Sequence, residues 1–396
     1  MQQQPEPRCP SCGSDSVSKF YYVAQTPVHS CIMLDTEKEA LEFPTRPLSL
    51  GACRGCGFIF NTLFDSRVQE YTSSYEDQQS YSPTFNSFAD RLASNLVERH
   101  NLQNKHIVEI GCSKGDFLLS LCEKGNNTGV GIDPSCVPGR VDSPAADRVK
   151  FISEYYSEKH AEHVGDLICC RHTLEHIYPT AGFMTVIRKT LTKRPNCVVM
   201  FELPDTTRIL KDKAFWDIYY EHCSYFTPGS LARLFRHCGF EVTNLEREYD
   251  DQYLLIEAKP ANFPSKIPHE LEEMVDETQD WVTDFVTGYS ERIQRWRTFF
   301  KSTKANNSKV AIWGSGSKCV SFMSTVGLRD EIAYVVDINP HRHGKYAPGV
   351  GKQIKPPEHI KVERPDTVIV MNPIYADEIG KQIRQMGVTT NVVPLQ

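Results

Sequence analysis

The chain carries one glutamate–histidine pair, Glu221 and His222, inside an aromatic stretch. The stretch FWDIYYEHCSYFTPGS, residues 215–230, surrounds the pair with aromatic side chains that include Tyr219, Tyr220 and Tyr225. An imidazole with a pKa near neutrality, a carboxylate and phenolic hydroxyls are groups that move protons in enzyme sites. The same residue types fit a hydrogen-bonded structural cluster beneath the helix that FTPGSLARLF predicts. The choice between the two depends on what the rest of the chain brings to this stretch.

A second candidate site is the glycine loop in HIVEIGCSKGDFLLSLCEKGNNTGVGIDPS. An apolar strand carries Glu109, the loop after it holds Gly111 and Gly115, and a second strand ends at Asp133. A dinucleotide loop needs Gly-x-Gly-x-x-Gly, so that a pyrophosphate can approach the helix N-terminus. Here the acid before the first glycine repels phosphate but suits the cationic amino-acid end of S-adenosylmethionine. Since Asp133 can accept hydrogen bonds from both ribose hydroxyls, the loop predicts S-adenosylmethionine rather than NAD.

The predicted donor site extends beyond this loop. The strand in GDLICCRHTLEHI leads into a loop that we expect to lie over the donor, where His172 and His176 are either ligands or ordinary loop residues. The strand in NCVVMFELPD carries Glu202 and Asp205 on the substrate side. The residues expected to bind the donor are Glu109, Gly111, Cys112, Gly115, Asp133, Pro134 and His172.

Four of the fourteen cysteines form two Cys-x-x-Cys pairs, CPSCG and CRGCG. These four are Cys9, Cys12, Cys53 and Cys56. Each pair puts two thiolates on one side of a tight turn, and two pairs complete the closed tetrahedral site of a structural Zn²⁺. The long gap between the pairs is tolerable because loop-closure entropy grows only logarithmically. The alternatives are four unrelated thiols or a redox-active pair.

The C-terminal half contains a second small-residue loop, in VAIWGSGSKCVSFM. Residues 314–317 of this loop could cradle a phosphate on backbone N–H groups. Downstream, VVDINPHRHGKYAPG places Asp337 at a strand tip, followed by the basic residues His341, Arg342, His343 and Lys345.

Three parts of the chain must position these motifs. Residues 1–70 are cysteine-bearing and turn-rich, residues 71–258 alternate helical and strand-like patterns, and residues 259–396 begin at a proline-rich break. After the break, LEEMVDETQDWVTDFVTGYSERIQRWRTFFKST repeats apolar positions at three and four, which predicts a long amphipathic helix or a helix pair. A second alternation of strands and helices follows. We predict an α/β fold in which both alternating parts are parallel sheets with helices on both faces.

Composition limits the partners. The chain has 396 residues and a net charge of −6, which argues against a nucleic-acid binder with a basic face. No run approaches the roughly 18 apolar residues of a membrane span, so we expect no membrane partner. The start, MQQQPEPRCP, lacks the features of an export signal, and the unpaired cysteines resemble reduced buried thiols. We expect a cytoplasmic protein that is a monomer or a weak homo-oligomer.

Taken together, the cysteine pairs, VEIGCSKGDFL, EHCSYFTPGSL and VVDINPHRHGKYAPG resemble the nucleoside-diphosphate-sugar C-methyltransferases of deoxysugar biosynthesis. The resemblance covers essentially the whole chain in order. It implies a zinc-binding head, a class I methyltransferase core and a second Rossmann-like domain at the C-terminus. It also implies a dTDP-linked 4-keto sugar bound between the domains, which loses a proton from the carbon next to the ketone and is methylated there.

The resemblance assigns roles to the aromatic stretch. The family motif Tyr-x-Glu-His matches Tyr219, Glu221 and His222. We expect His222 to be the general base, Glu221 to orient it or hold a sugar hydroxyl, and Tyr219 to donate a hydrogen bond to the enolate oxygen. The family also uses a tyrosine upstream of the core, for which YTSSYEDQQSYSPTF offers Tyr71, Tyr75 and Tyr81; we favour Tyr75.

The resemblance further implies that the C-terminal domain holds part of the nucleotide-sugar. The expected substrate-binding residues are Glu202, Gly314, Ser315, Lys318, Asp337, Arg342, Lys345 and Asn372. Arg342 and Lys345 would offset the diphosphate charge; the alternative is an ordinary solvated loop. Two departures stand out, namely VMNPIYADEI where many relatives have a Pro-Trp-Asn loop, and Ser113 where glycine is commoner. The first departure leaves open which nucleotide and which sugar the protein prefers.

Three other functions remain at this point. An O- or N-methyltransferase acting on a related sugar or natural product would use the same donor site. A non-catalytic, zinc-headed scaffold would fail to bind S-adenosylmethionine, which Glu109 and Asp133 argue against. A NAD oxidoreductase using the C-terminal loop fits least, because GSGSK is only a fragment of the dinucleotide fingerprint.

Overall fold

The computed structural model describes residues 7–69, 71 and 74–396, and its strands form three sheets. The strands are β1 (Val17–Pro27), β2 (Thr45–Cys53), β3 (Ile59–Asn61), β4 (His106–Ile110), β5 (Thr128–Ile132), β6 (Val149–Ile152), β7 (Leu167–Arg171), β8 (Val198–Pro204), β9 (Ser224–Tyr225), β10 (Phe240–Glu248), β11 (Tyr253–Pro260), β12 (Val310–Trp313), β13 (Tyr334–Val336), β14 (Ile354–Lys355), β15 (Thr367–Val370) and β16 (Asn391–Pro394). The α-helices are α1 (Glu37–Leu41), α2 (Pro83–Arg99), α3 (Asp116–Lys124), α4 (Thr180–Thr190), α5 (Thr206–Lys211), α6 (Pro228–His237), α7 (Val275–Ala305), α8 (Ser317–Val326), α9 (His359–Glu363) and α10 (Ala376–Gln385). Short 3₁₀ helices lie at Ser66–Val68, Ala146–Arg148, Glu158–His163, Leu174–His176, Phe215–Asp217, Pro340–Arg342 and Pro373–Tyr375.

The first sheet is antiparallel and has the order β1-β2-β3-β9. Its last strand comes from far along the chain, because Ser224 pairs with Phe60 and Tyr225 pairs with Ile59. Strand β9 begins two residues after His222. The N-terminal sheet therefore fixes the backbone of the segment that carries the predicted base.

The second sheet has the order β10-β11-β8-β7-β4-β5-β6. Strands β4 to β8 are parallel to one another, and β11 runs antiparallel to β8. Chain order reverses beside β4, whose neighbours are β5 and β7, and α/β sheets bind ligands outside the carboxyl ends of the strands at such a point. The predicted Rossmann-like core is confirmed.

The third sheet is fully parallel and has the order β14-β13-β12-β15-β16. Here the order reverses beside β12, which lies between β13 and β15. The second Rossmann-like α/β unit is thus also confirmed, and its own ligand-binding edge is the carboxyl end of β12.

Helix α7 is one continuous helix of 31 residues rather than a pair. Phe285, near its N-terminal end, contacts Tyr21 of the first sheet at a ring-centroid distance of 5.7 Å. Trp296, further along, contacts Phe322 of α8 at 5.0 Å. The helix therefore joins the N-terminal head to the C-terminal unit. In the part of the chain that the structure describes, no helix combines the length and the apolar character needed to cross a bilayer.

The segment before the Glu–His pair belongs to the core of the C-terminal unit. Phe215 and Trp216 are buried there, and the Phe215 ring stacks on Phe322 at 6.2 Å. Ser321 Oγ of α8 donates a hydrogen bond to the carbonyl oxygen of Ile218 at 2.6 Å. The aromatic stretch is therefore fixed by the third sheet's helix on one side and by the first sheet on the other.

Candidate active site

A cavity of about 640 Å³ lies at the carboxyl ends of β4 and β12, which belong to the second and third sheets. We call it the interdomain cavity. Gly111 of the loop after β4, Gly314 of the loop after β12 and His222 of the aromatic stretch all line it. Motifs that are far apart in the sequence thus share one space. Of the residues predicted to be catalytic or to bind donor or substrate, all of which the structure describes, those outside the lining are Gly115, Glu202, Glu221, Ser315 and Lys345.

Two glycines shape the donor side of this cavity. Gly111 has φ +71°, and a Cβ there would lie 1.9 Å from Thr173 Oγ1, so only glycine lets the loop pass Thr173. Gly115 acts elsewhere, because its Cβ would meet the Phe151 ring at 2.5 Å. Gly115 therefore leaves space for the Phe151 ring behind the loop, whereas Gly111 forms part of the cavity wall.

Glu109 is the donor-side acid, and it is only 3 % exposed. Its Oε2 has no hydrogen-bond partner among the described residues. Burial raises the pKa of Glu109 to about 8, although the nearby positive charge of Arg171 pulls it down. An unpartnered buried carboxyl at the cavity fits the ammonium group of S-adenosylmethionine, because a cation there would compensate the cost of its burial.

Asp133 is held rigidly at the tip of β5. Its Oδ2 accepts a hydrogen bond from the Ser113 N–H at 2.9 Å, and its Oδ1 accepts from the Ser135 N–H at 2.6 Å and the Ser135 hydroxyl at 2.7 Å. Both lone pairs of Oδ1 are thus used, whereas Oδ2 keeps acceptor capacity for a ribose hydroxyl. Pro134 and Cys112 line the cavity beside it, as predicted. Together with Glu109 and the glycine wall, these residues fit S-adenosylmethionine.

His222 and Tyr219, which also line the cavity, form a hydrogen-bonded pair. The Tyr219 hydroxyl lies 3.0 Å from His222 Nε2, with ring centroids 4.1 Å apart. Burial lowers the pKa of His222 well below 6.5, and the positive charges of His176, His172 and Lys318 lower it further. Burial raises the pKa of Tyr219 well above 10. At neutral pH the hydroxyl is thus the donor and the imidazole is the acceptor, as a general base must be.

Glu221 points away from the cavity. Its Oε2 lies 3.2 Å from His29 Nδ1, and its Oε1 accepts hydrogen bonds from the backbone N–H and the hydroxyl of Ser30. Burial by itself raises the pKa of Glu221, but the hydrogen bond with His29 and the charge of His176 outweigh it, so the pKa lies below its ordinary value. Glu221 therefore anchors the aromatic stretch to the N-terminal head. The sequence did not predict this contact.

All three upstream tyrosines, Tyr71, Tyr75 and Tyr81, line the cavity. The Tyr71 hydroxyl lies 2.9 Å from His176 Nδ1, and the Tyr71 and Tyr75 rings are 5.1 Å apart. Lys114 Nζ donates to the backbone oxygen of Tyr75 at 2.9 Å and so holds this segment against the donor loop. The preference for Tyr75 stays a prediction.

His172 lines the cavity, and Glu202 supports it from behind. The Oε1 atom of Glu202 is 2.9 Å from His172 Nε2 and accepts a hydrogen bond from Arg171 Nη2 at 2.7 Å. Burial opposes protonation of His172, but Glu175 and Glu202 overcome it and raise its pKa to about 9. Glu202 thus orients two cavity side chains instead of facing a substrate.

The loop after β12 repeats the geometry of the donor loop. The Ser315 N–H donates to Asp337 Oδ2 at 2.8 Å, just as the Ser113 N–H donates to Asp133. Arg342 Nη1 donates to Ser315 Oγ at 3.1 Å, while Nη2 donates to the backbone oxygen of Glu76. Gly314, Asp337, Arg342 and Asn372 line the cavity.

Lys318 and Lys345 occupy different environments. Lys318 pairs with Asp217, whose other oxygen is 2.6 Å from Arg208 Nη2, and burial lowers the pKa of Lys318 to about 8. Two cations share one carboxylate here, which leaves an excess of positive charge at the cavity. Lys345 instead pairs with Asp35 at 2.5 Å, outside the cavity lining.

The four predicted zinc ligands come together in the N-terminal head. Cys9 Sγ is 3.7 Å from Cys56 Sγ, Cys12 Sγ is 3.6 Å from Cys53 Sγ, and all four lie within 4.8 Å of one another. A tetrahedron with Zn–S bonds near 2.3 Å has S–S edges of about 3.8 Å. The four thiols are free of disulfides, and their spacing fits a tetrahedral metal ion.

No motif in the sequence points to several of the residues that line the cavity. Arg208 and Asp217 are ordinary charged residues in the sequence, and only folding places them beside Lys318. Glu175 lies in the loop after β7, where the sequence indicated only the two histidines, His172 and His176, as candidates.

Two family models match the chain. Residues 84–245 match the model described as a methyltransferase domain, and residues 258–394 match the C-methyltransferase C-terminal domain. The C-methyltransferase NovU of Streptomyces niveus is 24% identical over 390 residues, which cover 95% of this chain and 92% of that protein.

Solved structures resemble less than half of the chain. The 1,6-didemethyltoxoflavin-N1-methyltransferase of Burkholderia thailandensis is 18% identical, with a TM-score of 0.34, and the match covers 46% of this chain and 82% of that one. The magnesium protoporphyrin IX methyltransferase of Synechocystis PCC 6803 is 14% identical, with a TM-score of 0.36, and the match covers 45% and 84%. One cavity thus joins a region that matches a methyltransferase domain and a region that matches a C-methyltransferase C-terminal domain, and the protein is an S-adenosylmethionine-dependent methyltransferase.

Proposed function

We propose that the protein methylates the carbon next to the ketone of a nucleotide-linked keto-sugar, with a dTDP-linked 4-keto sugar as the expected substrate. The observation that carries this proposal is a neutral imidazole, His222, in the same cavity as the donor-side acid Glu109. A C–H bond next to a ketone needs a positioned base at neutral pH. Transfer of the methyl group to an oxygen or nitrogen atom has less need for such a base.

In this proposal His222 Nε2 takes the proton from the carbon. The Tyr219 hydroxyl, now free of Nε2, donates its hydrogen bond to the developing enolate oxygen, since its raised pKa keeps it protonated. Glu109, Asp133 and the Gly111 wall would hold S-adenosylmethionine, which supplies the electrophilic methyl group for the enolate carbon. Burial excludes water and so strengthens both hydrogen bonds.

The nucleotide part of the substrate is assigned to the C-terminal unit. Gly314 and Asp337 line the cavity at the carboxyl end of β12, where α/β sheets bind nucleotides. The excess positive charge of Lys318 and Arg208 over Asp217 suits a diphosphate. Lys345 lies outside this assignment because it pairs with Asp35.

We also propose a structural Zn²⁺ bound by Cys9, Cys12, Cys53 and Cys56. Four thiolates fill the tetrahedron and leave no position for a substrate, so the ion would stabilise the head without entering the chemistry. A cytoplasmic location would keep these thiols reduced.

The decisive experiment is hydrogen exchange at the carbon next to the ketone. The protein is incubated in D₂O with a dTDP-4-keto sugar and S-adenosylhomocysteine, and the sugar is read by NMR. Deuterium should enter that carbon at a rate set by His222, and labelled S-adenosylmethionine should then place the methyl group there. A product methylated on oxygen or nitrogen, with no exchange at carbon, would contradict the proposal.

A further inference from the structure

The cavity wall carries a second set of potential metal ligands, distinct from the four cysteines. Among the residues that the structure describes, two groups bring three or more such atoms within 4.8 Å of one another. One is the cysteine set; the other consists of Glu175, His176 and His222. All three members of the second group line the interdomain cavity.

Glu175 is a buried carboxylate with one oxygen that lacks a partner. Its side chain is 3 % exposed, and its Oε2 has no hydrogen-bond partner among the described residues. Its Oε1 forms an ion pair with His172 Nδ1 at 3.7 Å and lies 4.0 Å from His222 Nε2. A buried carboxylate oxygen without a partner is costly unless a ligand binds to it, so Oε2 is suited to an ion.

The two imidazoles are oriented as metal ligands are. His176 Nδ1 lies 3.1 Å from the carbonyl oxygen of Glu221, which holds the ring and leaves Nε2 for an ion. His222 Nε2 lies 3.0 Å from the Tyr219 hydroxyl, which an ion bound to this atom would displace. The two ring centroids are 4.7 Å apart.

The backbone holds the three ligands in place before any ion arrives. Glu175 and His176 lie in the 3₁₀ helix Leu174–His176, and the Cys223 N–H donates to the backbone oxygen of Glu175 at 2.9 Å. This bond ties the loop after β7 to the residue that follows His222. The site therefore needs only small side-chain movements to close on an ion.

We propose that Glu175, His176 and His222 form a two-histidine, one-carboxylate site for a divalent transition metal such as Zn²⁺ or Co²⁺. A set of two imidazole nitrogens and one carboxylate favours these ions over Mg²⁺ and Ca²⁺, which prefer oxygen ligands. An ion bound to His222 Nε2 occupies the lone pair that accepts the substrate proton. The site is thus inhibitory, and this last step rests on the proposed function.

The site is tested with Co²⁺ on protein that already holds zinc at its cysteines. One further equivalent of Co²⁺ should bind, with ligand-field absorption but without a sulfur-to-cobalt charge-transfer band. A charge-transfer band would locate the ion at the cysteines, and no further bound equivalent would mean no site; either result overturns the proposal. Excess Mg²⁺ should not displace the Co²⁺.

Two variants locate the ion. Glu175→Gln and His176→Gln should each weaken Co²⁺ binding by about 100-fold, as expected for loss of one ligand. His163→Gln is the matched control, since His163 lies beside Glu162 in a different part of the chain and should leave binding unchanged. Two independent variants guard against one that fails to fold. Unchanged binding in both would overturn the assignment.

Inhibition is measured separately from binding. Co²⁺ should slow deuterium exchange into the keto-sugar, with half-inhibition at the concentration that half-fills the spectroscopic site. Full exchange in the metal-loaded protein would overturn the inhibitory role. If the sugar proposal fails instead, stoichiometry and spectrum still report the metal site, so the two failures are distinguishable.

Discussion

Two buried groups that line the interdomain cavity, His222 and Glu109, have pKa values moved away from their ordinary ranges. Burial keeps His222 neutral and so able to accept a proton, and burial raises the pKa of Glu109 to about 8. Each shift favours the uncharged form in the empty cavity. The imidazole of His222 and the carboxyl of Glu109 are therefore both uncharged at neutral pH, and each can become charged when a ligand binds.

His222→Asn should reduce turnover by about 10²- to 10⁴-fold, the usual contribution of a general base. Donor affinity should remain, because the residues proposed to hold the donor, Glu109 and Asp133, are unchanged. Steady-state kinetics and calorimetry with S-adenosylhomocysteine check both parts. His237→Asn, an exposed residue at the end of α6, is the control. Near-normal turnover in His222→Asn would remove it from the role of base.

Donor affinity should depend on pH through Glu109. In the empty protein the carboxyl is protonated below its pKa of about 8, whereas an ammonium group favours the carboxylate. Binding therefore releases a proton, and affinity should fall as pH drops below 8, by up to about tenfold per pH unit. Calorimetry in two buffers of different ionisation enthalpy measures the released proton. Glu109→Gln should bind weakly and without this pH dependence; a pH dependence that survives the change would contradict the assignment.

At the scale of elements, helix α8 does two tasks. Its N-terminal turn carries Lys318 at the cavity, and Ser321 one turn later holds the backbone of Ile218. The aromatic stretch thus depends on a helix that belongs to the C-terminal unit. The N-terminal sheet holds the other end of the same stretch through β9.

Ser321→Ala should leave the carbonyl oxygen of Ile218 without its donor in a buried place. We expect a loss of about 1–3 kcal/mol in the free energy of unfolding and a lower kcat, with donor affinity unchanged. Urea denaturation and kinetics provide the measurements. Ser324→Ala is the matched control, because Ser324 Oγ bonds only the Val320 carbonyl oxygen of its own helix. Equal effects from both changes would argue against the anchoring role.

At the scale of the whole molecule, the three sheets depend on one another. The first sheet contains a strand from the middle of the chain, and α7 contacts both the first sheet and α8. The predicted division at 1–70, 71–258 and 259–396 stays a prediction. These shared elements indicate that the aromatic stretch would lose its supports if the middle part were separated.

Loss of zinc should therefore also impair the active site. Purified protein should contain about one zinc per chain, and Cys53→Ser should remove it and destabilise the head. Since β3 then no longer supports β9, turnover should fall along with thermal stability. Metal analysis, thermal unfolding and kinetics measure the three effects. Cys238→Ser is the control, and a zinc-free protein with normal stability would contradict the structural role.

The sequence by itself determined those features that depend on residue types and spacing within one stretch of the chain. The cysteine pairs, the donor loop of Glu109 and Asp133, and the two alternating patterns each occupy a continuous stretch, so residue type and period predicted the cysteine cluster and the parallel strands of the second and third sheets. The antiparallel strands β10 and β11 of the second sheet were not predicted. The Tyr219–His222 pair was equally local, since its members are three residues apart.

Tertiary structure alone decided which groups face one another. Glu221 bonds to His29 and Ser30 instead of orienting His222, Glu202 supports Arg171 and His172, and Lys345 turns to Asp35. Each of these contacts joins residues from different elements, and no spacing rule predicts them. Burial is likewise a property of the packed chain, and it sets the pKa values that make His222 an acceptor and Glu109 a neutral acid.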